Sequence, residues 1–188
     1  MTGRPHASEQ LPDPSIELTE GWHCSHLYYE FDRQVLAAMT AEQISAGREE
    51  LVAILDPTTD TPQRLQVSIV SGNKADFGLM LMDPNPLAID SMHQRLSAST
   101  LGPALRSTYS FISVSEVSEY VPSLEQYGER LVQEGEEEGS EAYQAKLNAY
   151  AKREPMMRKQ RLTPDFPEWP ATCFYPMNKK RKVGENWF

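Results

Sequence analysis

Apolar and polar residues alternate with a period of two over Leu65, Val67 and Ile69, and again over Phe77, Leu79 and Leu81. That alternation belongs to half-buried strands. Ser71-Gly-Asn-Lys74 between the two runs supplies a turn, so they pair as a hairpin. Upstream, residues 22–31 carry His26, Leu27, Tyr28, Tyr29 and Phe31, an aromatic-rich stretch that reads as a strand. Thr40-Ala-Glu-Gln43 is a capping box that opens a helix to about residue 56, with Ile44, Leu51, Ile54 and Leu55 as its apolar face and Pro57 as its stop. Asn85 as N-cap and Pro86 in the first turn start a second helix through Ile89, Met92 and Leu96. Gly102-Pro103 ends it, and residues 108–116, with Tyr109, Phe111, Ile112 and Val114, form a fourth strand.

The order is βαββαβ, the ferredoxin-like arrangement of the α+β class. It predicts one antiparallel sheet with both helices on one face, leaving the other face wet or packed on another sheet. Residues 1–18, with Pro5, Pro12 and Pro14 among polar neighbours, read as a disordered leader. Residues 19–117 form the domain, and 118–188 a helical linker and active-site segment. In the latter, Ser123-Leu-Glu-Gln126 caps a helix carrying Leu131, Val132, Tyr143, Leu147 and Tyr150. Gly135 and Gly139 interrupt it within an acidic, solvated run, and Pro155 is expected to stop it. Residues 156–170, rich in proline, read as a linker or extended arm.

Charge and composition narrow the possibilities. The 188 residues are 39% hydrophobic and 24% charged, enough for one ordinary domain with extensions. A net charge of −9 argues against general nucleic-acid binding by the body of the chain. No apolar run reaches the roughly 18 residues of a membrane span, and residues 1–18 lack the apolar core of a secretory signal. Cys24 and Cys173 lie too far apart for metal-ligand spacing, and Cys173 beside Phe174 is expected to be buried and inert. A reducing cytoplasm is the expected compartment. Met80, Met82 and Met92 read as core fillers.

Chemistry concentrates near the C-terminal end. Tyr175 is an oxidisable phenol, Met177 a thioether, and Lys179-Lys-Arg-Lys182 a cationic cluster. A phenol beside several cations suits a site that binds a polyanion and does electron chemistry on it. Taken singly, the tyrosine is an ordinary packing residue and the basic run a solvated tail or nucleic-acid patch. Gly21-Trp22 ahead of the aromatic strand, Phe174-Tyr-Pro-Met-Asn-Lys179 and the closing Glu-Asn-Trp-Phe188 together resemble the chlorite dismutase family, most closely its coproheme decarboxylases.

The resemblance implies two ferredoxin-like halves per subunit, their sheets packed into an α+β barrel, and a homo-oligomer, a pentamer in complete members. It implies haem chemistry: peroxide-dependent oxidative decarboxylation of iron-coproporphyrin to haem b, with the porphyrin as substrate and cofactor and hydrogen peroxide as oxidant. Tyr175 matches the tyrosine that becomes a radical and attacks the propionates. Met177 matches a methionine beside a vinyl or propionate group, while Lys179 and Arg161 match propionate-holding cations, Lys179 with a proton role. Four carboxylates on the ligand call for several such donors. In the family the iron-ligating histidine lies in the second half. None of His6, His23, His26 and His93 matches it, so the metal ligand is expected beyond residue 188. The other reading is a non-catalytic ferredoxin-like module that oligomerises through its open sheet face and binds no haem.

Overall fold

The computed structural model describes residues 18–56, 62–117 and 121–176. Its centre is β1 (His23–Phe31), which pairs antiparallel with both β3 (Phe77–Asp83) and β4 (Leu105–Val114). β2 (Arg64–Ile69) closes the far side against β3, giving the order β2-β3-β1-β4 in a four-stranded sheet. This is the antiparallel ferredoxin-like sheet that the alternating pattern predicts. The fourth strand starts earlier than the spacing implied, and a register shift at Tyr28/Tyr29 lets one extra residue into β4.

Alternation divides β1 between two environments. Leu27, Tyr29 and Phe31 point into the core with Leu65, Phe77, Leu79 and Leu81 from β2 and β3. Against them lie α2 (Ala41–Ile54), contributing Leu51 and Ile54, and α3 (Pro86–Ala98), contributing Ile89, Met92 and Leu96. Leu81, Met92 and Leu96 are fully buried. Both helices begin where the sequence places them. Thr40 and Gln43 exchange the two bonds of a capping box, and the Asn85 side chain accepts the Leu87 N–H at 3.0 Å. A short helix that the pattern did not reveal, α1 (Arg33–Ala38), follows β1. The Asp32 carboxylate caps it through the N–H groups of Gln34 and Val35.

Beyond β4, α4 (Leu124–Gln133) and α5 (Glu141–Leu162) form a helical hairpin. Gly135 and Gly139, at φ +100° and +81°, make the turn between them. Leu131 and Tyr143 are buried in the hairpin, Tyr127 stacks on Tyr150 at 4.3 Å, and the Tyr150 hydroxyl donates to the Pro122 carbonyl. Pro155 does not stop α5; it lies inside the helix. The proline removes one backbone donor and crowds one carbonyl, while the turn beyond it is tied to the sheet. Ser115 Oγ donates to the Leu162 carbonyl at 2.6 Å, Arg158 pairs with Glu20, and Lys159 and Arg64 both reach Asp165. The arm expected from residue 156 therefore begins only after Leu162, and residues 164–169 and 171–176 carry no helix or strand. No helix among the described residues is long and apolar enough to cross a membrane.

Candidate functional site

The sheet face away from the helices carries the other set of β1 side chains: Trp22 just before the strand, then Cys24, His26 and Tyr28. In register with them stand Met82, Met80 and Gly78 of β3 and Ser113, Phe111 and Tyr109 of β4. The face is aromatic at its centre. His26 and Phe111 lie 6.4 Å apart between ring centres, and Tyr28 and Tyr109 lie 6.0 Å apart. Tyr28 lies over the sheet because position 78 is glycine; a Cβ there would come within 2.7 Å of the Tyr28 ring.

This face was expected to have no partner inside the chain. Instead, the chain turns back over it. Phe174 stacks on His26 at 3.9 Å with ring planes only 14° apart, and stands 5.9 Å from Tyr28 and 6.1 Å from Phe111. The far end of the face is covered too. Arg64 lies over the Trp22 ring at 5.5 Å while bonding Asp165, and Cys24 and Met82 are almost completely buried. The turn before β1 is fixed by Gly21 at φ +79°, where a Cβ would collide with the Ser115 carbonyl oxygen at 1.9 Å. Trp22 N–H in turn donates to Ser115 Oγ at 2.8 Å. Gly21-Trp22 is thus the hinge point that aligns β1, β4 and the end of α5.

Burial sets the titration of these groups. The His26 ring has a buried Nδ1 with no hydrogen-bond partner, and desolvation holds its pKa below the usual histidine value. Burial pushes the Cys24 thiol up, against the lowering effect of its hydrogen bond with Ser113. On the opposite face, Tyr29 hydrogen-bonds His93 Nδ1 at 2.8 Å, and burial pushes its phenol up to about 12.

Of the site residues expected from sequence, Tyr175 is 64% exposed, immediately after the seated Phe174. Arg161 is exposed in the last turn of α5 and makes no ion pair among the described residues. Thirteen residues, Phe174 among them, separate the two in sequence. Met177 and Lys179 lie outside the described residues, as does His6. Cys173 is exposed, contrary to expectation: of residues 171–176 only Phe174 turns in from solvent, and its neighbours Cys173 and Tyr175 stay out. Among the described residues no group of three His, Cys, Asp or Glu side chains could hold a metal ion.

The aromatic seat was not singled out from the sequence. Its signal was present, because His26 and Tyr28 share one parity on β1 and Tyr109 and Phe111 share one on β4. What the sequence could not supply was the occupant, Phe174, sixty residues beyond the end of β4.

The family profile described as chlorite dismutase matches residues 30–188. Among solved structures, a heme-binding protein from Thermus thermophilus is 27% identical, with a TM-score of 0.61 over 95% of this chain and 63% of its own. A mutant chlorite dismutase from Candidatus Nitrospira defluvii is 15% identical, with a TM-score of 0.47 over 65% of this chain and 52% of its own. The chain thus spans less than two thirds of the length of these proteins. By the extent of the profile match, it belongs to the chlorite dismutase family.

Proposed function

We propose that the chain handles an iron porphyrin, as the N-terminal part of a peroxide-dependent coproheme decarboxylase. The observation that carries this reading is the seating of Phe174 on an aromatic sheet face, with the exposed Tyr175 as the very next residue. Membership of the chlorite dismutase family and likeness to a heme-binding protein support it. When bound, the iron with peroxide supplies the oxidising equivalents.

The described residues suit the porphyrin's periphery rather than its iron. Tyr175 offers a phenolic O–H that can lose a proton and an electron. Arg161 offers an exposed guanidinium able to hold a carboxylate in two parallel bonds. Met177 and Lys179 extend this set, Met177 against the macrocycle edge and Lys179 as a further cation with a proton to give. For the iron the fit is poor: the His26 ring is covered by Phe174, the His93 Nδ1 is engaged by Tyr29, and His23 has an interaction of its own. An axial ligand from outside the described residues completes the proposal.

Titration with iron-coproporphyrin, followed by absorbance at rising salt, tests the binding. We expect saturable binding that weakens with ionic strength, and weakens roughly tenfold in Arg161→Ala, as loss of one charge-assisted contact does. Absence of any spectral change would remove the porphyrin reading. In the complete protein, Tyr175→Phe keeps binding and stops conversion to haem b with peroxide; turnover at the parental rate would remove the radical role.

One observation favours a second reading, an assembly module without chemistry. β4 is an edge strand with Ile112 exposed by 73% and with Val114, Tyr109 and Phe111 also exposed. Apolar edge strands invite pairing with another chain. Light scattering that shows oligomers, together with no porphyrin binding, would favour this reading.

A further inference from the structure

Phe174 alone among residues 171–176 is drawn in from solvent; its five neighbours are exposed. One side chain therefore determines where this stretch lies. Its closest ring is His26, nearly parallel at 3.9 Å, with Tyr28 and Phe111 forming the remaining walls. The seat has a made floor, since Gly78 opens the room that Tyr28 occupies. His26 bears the cost of a buried, unpartnered nitrogen while its flat face is covered. An imidazole placed for its nitrogens would have found a partner; here the face is what is used. The residue after Phe174 is Tyr175, and Pro176 restricts Tyr175 to extended backbone, so the direction of the phenol follows from the seat.

The geometry points to His26 as a positioning residue for Tyr175, acting through the Phe174 ring stacked on it. Tyr28 and Phe111 complete the socket, and Gly78 makes room for it. The consequence for chemistry rests on the reading of Tyr175 given above, while the seating stands independently of it.

Chymotrypsin reads the seat directly in the full chain. Cleavage after Phe174 requires that ring to leave the socket and enter the protease, and Pro176 protects the next bond. His26→Ala should speed this cut by roughly three- to tenfold, the range of one aromatic stack. His26→Phe, which keeps a flat ring, should restore the parental rate to within about twofold, a rescue that a general structural role for the nitrogens would not give. Should His26→Ala fail to fold, Phe174→Ala reads the same contact from the other side. The His26 ring proton signals should lose the upfield displacement that a stacked phenyl ring imposes. An unchanged cut in folded His26→Ala, no rescue by His26→Phe, or His26 signals unmoved in Phe174→Ala would each overturn the assignment. A porphyrin titration run alongside separates the two readings. An intact seat in a chain that ignores iron-coproporphyrin removes the function and leaves the seat, whereas porphyrin binding with no seat does the reverse.

Discussion

The two faces of the sheet are built from the same strands and do opposite things. On the helix side, Leu79, Leu81, Met92 and Leu96 are sealed, and the polar pair Tyr29 with His93 is hydrogen-bonded. The other side is aromatic at its centre, where Tyr109 and Phe111 remain exposed. The buried imidazole there has an unsatisfied nitrogen, and a single phenylalanine from the distant C-terminal stretch is its closest cover. A face made for stability closes its polar groups and excludes water; a face that leaves them open is held in readiness for something else. The difference assigns folding to the helix side and leaves the other side as the face that the proposed porphyrin chemistry would use.

The largest effect that would test this division is a cavity on the helix side. Leu81→Ala removes a fully buried side chain from the centre of the core and should cost about 2–5 kcal/mol by denaturant unfolding. Phe111→Ala, on the exposed side of the same sheet, should cost less than about 1.5 kcal/mol, most of it from the aromatic contacts. Equal losses at the two positions would show that the open face is as much a core as the closed one.

A finer comparison uses neighbours in the sequence. Tyr29→Phe leaves the ring stacked on Phe77 but strands His93 Nδ1 in a partly buried position. It should cost roughly 1–3 kcal/mol in thermal or chemical unfolding. Tyr28→Phe removes a hydroxyl that makes no hydrogen bond among the described residues, and it should change stability by less than about 0.5 kcal/mol. A large loss in Tyr28→Phe would mean that the open face conceals a polar partner for that hydroxyl.

The same contrast explains what the sequence could and could not tell. The βαββαβ order was legible because each element is marked locally: Thr40 and Gln43 for α2, Asn85-Pro86 for α3, alternating Leu and Phe for the hairpin. α1 was missed although Asp32 marks its start, since six residues carry too little periodicity to stand out. Pro155 misled because the rule that proline ends a helix is local, whereas the chain beyond it is held by Ser115, Glu20 and Arg64 from elsewhere, Arg64 through Asp165. The candidate site was legible only as a motif around Tyr175. Its aromatic seat depends on the meeting of His26 and Phe174 across 148 positions, which no local pattern encodes.

The smallest expected effect concerns pH, and His26 carries it. Burial holds its folded pKa below the ordinary value of 6.5, whereas the unfolded chain takes up the proton at that ordinary value. Between the two values the unfolded state binds more protons than the folded state, so stability rises with pH across that window. The contribution is complete above pH 6.5 and is lost as pH falls through the folded pKa. His26→Phe has no such proton to take up. The gap in unfolding midpoint between His26→Phe and the parent should therefore widen in the variant's favour between about pH 7 and pH 5, above most carboxylate titration. The two proteins differ only at position 26, so the difference between them isolates that side chain. A gap independent of pH would mean that the His26 ring is already solvated in the folded chain. Phe174 would then lie over it too loosely to position Tyr175, and the open face would lose the feature that most distinguishes it from the core.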